Sequence, residues 1–164
     1  MLRFLLMSFS IMVAVVTFNG CNGRLFSYKG ATITQQDHIV QLQQGDQKGV
    51  WKTNELSLNY NYRMTPENLK VSGTVNLVGG FAIGFSSVER LVVQMLFLDD
   101  QGTVIDNVIL YSADSHHSTQ YIPMNFDRTI PIPANAHAIS FSYDGELMDA
   151  GDDSAGVSIG NFPR

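Results

Sequence analysis

The stretch "ELSLNYNY", residues 55–62, decides the fold class because apolar and polar side chains alternate along it. The apolar or aromatic positions are Leu56, Leu58, Tyr60 and Tyr62. Successive side chains of an extended strand point to opposite faces, so this period of two places the four residues on one side. The stretch therefore predicts a β-strand with one face in a core and the other in water.

A second strand of the same kind follows a short turn. "RMTPEN", residues 63–68, predicts a turn around Pro66, and the alternation resumes over residues 69–77 with Gly73 in the apolar phase. We expect the two strands to be antiparallel neighbours in one sheet.

"LVVQMLFL", residues 91–98, differs because it is apolar throughout except at Gln94. A continuous apolar strand is typical of the centre of a sheet with both faces covered. The next residues, "DDQG" at 99–102, favour a turn, since Asp bonds to nearby backbone and Gly tolerates positive φ. Residues 103–111 are then expected to return as the hairpin partner.

Further strands are predicted at residues 128–132 and 137–143. In the second of these, one face would hold His137, Ile139, Phe141 and Tyr143. No window after residue 24 shows a helical period. About seven short strands separated by turns predict an all-β antiparallel sandwich, with a barrel enclosing a ligand cavity as the alternative.

Two of these stretches, "LKVSGTVNL" at 69–77 and "VERLVVQMLFLDDQGTVIDN" at 88–107, resemble a known type of module. They are similar to FxLYD-type and related immunoglobulin-like modules of bacterial envelope proteins. The matching positions are Gly73, Val75, Asn76, Asp99 and Gly102. The resemblance implies an immunoglobulin-like sandwich with an adhesive or scaffolding role.

The composition fits one globular domain and argues against a nucleic-acid partner. The chain has 164 residues, 45% of them hydrophobic and 15% charged, with a formal net charge of −5. Binding to a phosphate backbone relies on clustered lysine and arginine, whereas the 10 basic residues here are scattered. We therefore expect a single domain and no nucleic-acid partner.

The N-terminus has the pattern of a secretory signal peptide. Arg3 precedes an uncharged apolar run over residues 4–16. A spanning helix needs roughly 20 apolar residues, which is longer than this run. The sequence therefore predicts a signal peptide over residues 1–20 and export of the rest.

Cys21 is the only cysteine of the chain and directly follows the small residue Gly20. This pair resembles the lipobox of bacterial lipoproteins, in which the cysteine is diacylated and becomes the new N-terminus. The resemblance implies a membrane tether at Cys21 and a place in the cell envelope, and Asn22 in the next position favours the outer membrane over the inner one. The alternatives are an ordinary signal peptide with an incidental Cys21, or a buried free cysteine.

The resulting division of the chain has three parts. A signal peptide over 1–20 precedes a lipid-tether linker and lead-in over 21–49, which is polar and rich in glutamine. The β-sandwich is expected over 50–164.

Motifs for chemistry are weak. "GVSIG" at 156–160 matches the nucleophile elbow of hydrolases at Ser158, but the required helix and histidine would have to follow, and only residues 161–164 remain. The neighbours His116 and His117 would point to opposite faces of a strand, which disfavours a shared metal. No catalytic residue is therefore predicted.

The run "DGELMDAGDD", residues 144–153, is interpreted as a solvated acidic loop. A weak calcium site is the alternative, because hard cations prefer carboxylate oxygens. Its candidate ligands are Asp149, Asp152 and Asp153. No metal or other cofactor is predicted.

The segment "NLVGGFAIGFSS", residues 76–87, places Phe81, Ile83 and Phe85 in a glycine-rich stretch. It favours an irregular edge or hairpin that caps the sandwich, or an exposed apolar loop that contacts a partner or the membrane surface. Trp51 is the other candidate for such a surface, and together with Tyr60, Tyr62 and Tyr143 it would suit sugar stacking if these rings were not core residues.

The function predicted from these patterns is a non-catalytic binding or structural module. It would be held at the membrane through Cys21 and would contact other envelope proteins. The alternative is a protein that binds a small ligand, either a carbohydrate or calcium.

Overall fold

The computed structural model describes residues 27–118, 124–149 and 156–163. Within them lie one turn of 3-10 helix (Gln36–His38) and one short α-helix, α1 (Gly80–Gly84). The strands are β1 (Val40–Gln41), β2 (Gly45–Lys52), β3 (Leu56–Met64), β4 (Asn68–Leu77), β5 (Phe85–Leu98), β6 (Val104–Ser118), β7 (Met124–Pro131), β8 (Ala138–Asp149) and β9 (Gly156–Asn161).

The strands form two antiparallel sheets, which confirms the predicted all-β sandwich. Sheet one has the order β2-β3-β4-β7, and sheet two has the order β1-β8-β5-β6, with β9 also paired to β8. Strand β4 pairs with β7 in sheet one and β5 pairs with β8 in sheet two, so the β4–β5 and β7–β8 connections pass from one sheet to the other. In the immunoglobulin fold, strand B pairs with E in one sheet and strand C pairs with F in the other, which is the same arrangement as β4 with β7 and β5 with β8.

The main core lies between the sheets and contains the residues that the alternation predicted. Every second residue of β3 is buried, and the facing side chains come from β5 and β8. The largest of these buried side chains include Leu56, Leu58, Met95, Phe97, Phe141 and Tyr143. One sheet face therefore meets the other, as the period of two requires.

The second face of β5 is also covered, as its continuous apolar sequence predicted. Leu96 and Leu98 are fully buried on the outer face of sheet two. The segment over residues 28–39, which we name the strap, crosses this face and packs Ile33 and Ile39 against them. Backbone hydrogen bonds hold the strap to the β5–β6 hairpin. The N–H of Gly30 donates to the carbonyl of Val104 (2.8 Å), and the N–H of Ile33 donates to the carbonyl of Gly102 (3.0 Å).

The strap, β1 and the first half of β2 all lie within residues 21–49, the stretch predicted as a linker and lead-in. The folded unit thus includes residues from at least 28 onward rather than from 50. The physical reason is that the apolar outer face of β5 has to be removed from water, and the strap supplies the cover.

The β5–β6 turn has the predicted chemistry. The Asp99 carboxylate accepts hydrogen bonds from the backbone N–H groups of Gln101 (2.9 Å) and Thr103 (2.8 Å). Gly102 has a φ of +80°. This conformation favours glycine, because a side chain would be strained there.

The acidic run does not begin as a loop, which corrects the prediction for residues 144–149. These residues belong to β8, which pairs with β5 on one edge and with β9 on the other. Arg90 on β5 forms an ion pair with Asp144, so the carboxylate is compensated within the sheet. Asp152 and Asp153 lie outside the described residues, as do Cys21 and the predicted signal peptide.

Candidate functional site

The aromatic residues proposed for a ligand surface lie in the core. Trp51 is 2% exposed, and its ring meets the edges of Phe141 and Tyr143. Tyr60 and Tyr62 are buried as well. The surface role predicted for Trp51 is therefore wrong, because β2 turns this side chain toward the inside of the sandwich.

The glycine-rich segment forms α1 and the start of β5. Phe81 and Phe85 stack on each other with ring centroids 6.0 Å apart and pack against the core. Ile83 between them is 90% exposed. The segment thus caps one end of the sandwich and presents a single isoleucine to solvent, and one exposed apolar residue does not form a patch.

The weak motifs for chemistry have no supporting geometry among the described residues. Ser158 lies within β9, so the strand-to-helix turn of a nucleophile elbow is not present at this serine. Among the side chains that the structure describes, no three His, Cys, Asp or Glu residues come together as a possible metal site. Asp149 ends β8, and His116 and His117 lie in β6.

One edge of β8 has a gap in its strand pairing. One edge of β8 is paired with β5 along its full length. The opposite edge pairs with β1 at Ala138 and Ile139, and with β9 from Tyr143 onward. No described strand pairs with residues 140–142 on that edge. Edge backbone groups without a strand partner are open to other hydrogen-bonding partners.

A cavity of about 390 Å³ lies at this gap, and we name it the edge cleft. Its lining comprises residues 32–35 and His38 of the strap, Ser140 and Phe141 of β8, and residues 160–163 at the end of β9. The cleft is therefore formed by three separate stretches of the chain. Volumes of about 300–1,000 Å³ are usual for small-ligand sites.

Among the residues that line the edge cleft, Ser140 points most directly to a ligand. It alternates with Ile139 and Phe141 of the core, so its side chain is on the outer face of β8. Ser140 is 1% exposed, yet its hydroxyl has no hydrogen-bond partner in the described part of the chain. A buried hydroxyl without a partner costs about 1–3 kcal/mol, so a site that keeps one needs an explanation.

Phe162 forms an aromatic wall of the edge cleft and is 50% exposed. Its ring lies directly over Gly160, where an added Cβ would come within 2.6 Å of two ring carbons. On another side it contacts the ring of Tyr28 in the strap, with centroids 6.3 Å apart. The ring is thus held in place while half of its surface faces solvent.

An adjoining recess of about 530 Å³ shares Gln35, His38, Gly160 and Asn161 with the edge cleft. At its floor, Tyr143 donates a hydrogen bond to Oε2 of Glu55 (2.5 Å), and its hydroxyl also bonds to Thr53 (2.7 Å). Burial, and next the bond to the Glu55 carboxylate, raise the pKa of Tyr143. The tyrosine therefore remains a protonated donor that joins β8 of sheet two to the β2–β3 turn of sheet one.

Comparison with known protein families, with curated protein sequences and with solved structures gives no match to this chain. Among the described residues, neither helix is long and apolar enough to cross a bilayer.

Sequence reasoning did not find Ser140 or Phe162. The only available indication was the alternation in "AISFSY", residues 138–143, which places serines opposite the core residues. That pattern alone predicts a solvent-exposed serine. The other walls of the edge cleft come from the strap and from the end of β9, both distant from Ser140 in the sequence.

Proposed function

We propose that this chain is a lipid-anchored, non-catalytic binding module of the bacterial cell envelope, and that the edge cleft is its ligand site. The observation behind the binding role is a cavity of about 390 Å³ at a gap in the strand pairing, lined by Ser140, whose buried hydroxyl has no hydrogen-bond partner in the described part of the chain. A ligand with a matching polar atom would satisfy this group on binding.

The absence of a catalytic step is part of the same proposal. General acid–base chemistry requires a titratable group beside the reacting atoms. His38 is the only titratable side chain among the described residues that line the edge cleft. Its ring lies 4.9 Å from that of Trp51, centroid to centroid, which is a packing contact.

The proposed anchor rests on the resemblance of residues 18–21 to a lipobox. Tyr28, where the strap begins, follows Cys21 by seven positions, a span of at most about 25 Å in extended chain. A lipid on Cys21 would therefore hold sheet two and its edge cleft close to the bilayer surface.

The anchor is tested by the intact mass of the protein taken from a membrane fraction. We expect a chain that begins at Cys21 with a diacylglyceryl adduct, and release of the Cys21→Ala variant from membranes. An unmodified mass, or unchanged membrane partitioning of Cys21→Ala, would contradict the anchor.

The binding role is tested separately by screening the full chain against a library of neutral and charged fragments, with chemical-shift changes as the readout. Ligands are expected to shift the backbone amides of Thr34, Ser140 and Asn161. Thr129 on the outer face of sheet one serves as the reference position. A screen in which no fragment shifts the three cleft amides would contradict the proposed site.

A further inference from the structure

We infer that the edge cleft binds a neutral, hydroxyl-rich ligand, a saccharide unit of one or two rings. This inference rests on the proposed binding function and specifies the class of its ligand. Three properties of the edge cleft support it: the charge of its lining, the state of Ser140 and the placement of Phe162.

The described lining of the edge cleft contains no lysine, arginine, aspartate or glutamate. Its polar side chains are those of Thr32, Thr34, Gln35, Ser140 and Asn161, together with His38. An ionic ligand would lose hydration here without gaining a paired charge, which is strongly unfavourable. The described part of the lining therefore favours ligands whose polar groups are uncharged hydroxyls or amides.

The Ser140 hydroxyl can donate one hydrogen bond and accept others. A ligand hydroxyl has the same two capacities, so it fits this group in either direction. A ligand without a hydroxyl at this position would leave the buried Ser140 hydroxyl unpaired. Such an unpaired group gives strong discrimination against that ligand. Ser140 is therefore the expected specificity-determining contact.

Phe162 supplies the apolar half of the site. The face of an aromatic ring has negative electrostatic potential, and the C–H groups on one face of a sugar ring are weakly positive and apolar. When a sugar ring stacks on Phe162, apolar surface is removed from water, which contributes roughly 25 cal/mol of favourable free energy per Å² buried. Because Gly160 and Tyr28 already fix the ring, little side-chain entropy is lost on binding.

The volume of the edge cleft sets the size of the ligand. About 390 Å³ lies near the lower end of the range for small-ligand sites. The adjoining recess shares four residues with the edge cleft and contains Asp37, Lys52 and Glu55. A second ring would extend into this recess, where charged side chains can bond to its hydroxyls.

The test is a calorimetric and thermal-shift titration of the full chain with methyl glycosides of glucose, galactose, mannose and N-acetylglucosamine, and with their disaccharides. At least one probe is expected to bind with a Kd in the millimolar range or below and to raise the melting temperature, because it binds only the native state.

Ser140→Ala distinguishes a ligand contact from a structural role. Removing an unpaired buried hydroxyl is expected to leave the melting temperature of the free protein unchanged or higher, while the affinity for the saccharide falls at least tenfold. Phe162→Ala is expected to weaken binding similarly, and Phe162→Trp to retain it. Thr129→Ala, on the exposed face of sheet one, is the matched control and should bind like the unaltered chain.

Three results would overturn the inference. If no saccharide binds but a charged or fully apolar fragment shifts the cleft amides, the ligand class is wrong while the binding module stands. If neither saccharides nor fragments affect the edge cleft, both the inference and the proposed site fail. Saccharide binding that is unaffected by both Ser140→Ala and Phe162→Ala would also overturn it, since the site would then lie elsewhere.

Discussion

The outer faces of the two sheets differ in how far the rest of the chain covers them. The outer face of sheet one is polar and open to solvent, with exposed Asn59, Asn61 and Asn125. The outer face of sheet two is partly covered by the strap, and Leu96 and Leu98 are buried beneath it. The outer face of sheet one therefore faces water. Part of sheet two, by contrast, lies between the main core on one side and the strap on the other.

This difference explains where the candidate site lies. An open polar face offers hydrogen-bonding groups that water already satisfies, and a fully covered face offers none. At the edge of β8 the cover is incomplete, so Ser140 is removed from bulk water without receiving a partner among the described residues. The edge cleft therefore forms at the border between the covered and open parts of sheet two.

The largest expected effect comes from truncating the covered face. Leu96→Ala should lower the free energy of unfolding by about 2–5 kcal/mol, because it leaves a cavity beneath the strap. Asn61→Ala, on the open face, should change it by less than about 0.5 kcal/mol. Chemical denaturation of both variants measures the contrast, and equal values would mean that the strap does not bury the outer face of sheet two.

A smaller effect is expected where the two sheets are joined beneath the adjoining recess. Tyr143→Phe removes the hydroxyl that bonds to Glu55 and Thr53 and should cost about 1–2 kcal/mol of stability. Tyr60→Phe is the control, because the Tyr60 hydroxyl has no hydrogen-bond partner among the described residues. A Tyr143→Phe variant as stable as Tyr60→Phe in a thermal melt would show that this bond does not join the sheets.

The attachment of the strap can be weakened at the β5–β6 turn. Gly102→Ala should cost about 1 kcal/mol, since an alanine is strained at a φ of +80°. It should also speed hydrogen exchange at Ile33, whose N–H bonds to the Gly102 carbonyl. Gly84→Ala, with open space around the added Cβ, should change neither quantity. Unchanged exchange at Ile33 would indicate that the strap is held independently of the turn.

The smallest effect concerns an ion pair on the open face. Hydrogen bonds from the Arg63 guanidinium to the Asp46 carboxylate (2.6 and 2.9 Å) lower the pKa of Asp46. The Asp46 carboxylate therefore stabilises the folded state above the ordinary pKa of an aspartate. This contribution is lost as the pH falls through the lowered pKa of Asp46 in the folded state. An NMR titration should show this lowered pKa, and Arg63→Gln should return it toward the ordinary value. An Asp46 pKa unaffected by Arg63→Gln would show that the pair does not persist in solution.

The sequence was sufficient to predict what depends on local pattern. The alternation at residues 56–62 predicted a strand with one buried face, and the unbroken apolar run at 91–98 predicted a strand buried on both. The turn at Asp99 and Gly102 followed from the chemistry of those two residue types. Each of these properties is set by neighbours within a few positions along the chain.

The candidate site was not predictable in the same way, because it depends on contacts between distant segments. Trp51 was left as a candidate for either a ligand surface or the core, because a strand pattern does not say which face of β2 meets the core. Ser140 has the sequence context of an exposed strand residue, yet it is buried beside a cleft whose other walls come from the strap and from the end of β9, far away in the sequence. The acidic run at 144–149 was predicted as a loop from its charge, although β5 and β9 pair with it as a strand.

The strap also has a mechanical consequence. If the chain is held at Cys21, as proposed, a pulling force enters the domain at residue 28 and acts first on the bonds from Gly30 to Val104 and from Ile33 to Gly102. Such bonds break one after another, whereas the paired strands of the sandwich share the load. Residues 32–35 are a wall of the edge cleft, so tension would open this wall and release the proposed ligand before the sandwich unfolds. A module built in this way would convert a pull on its anchor into loss of ligand.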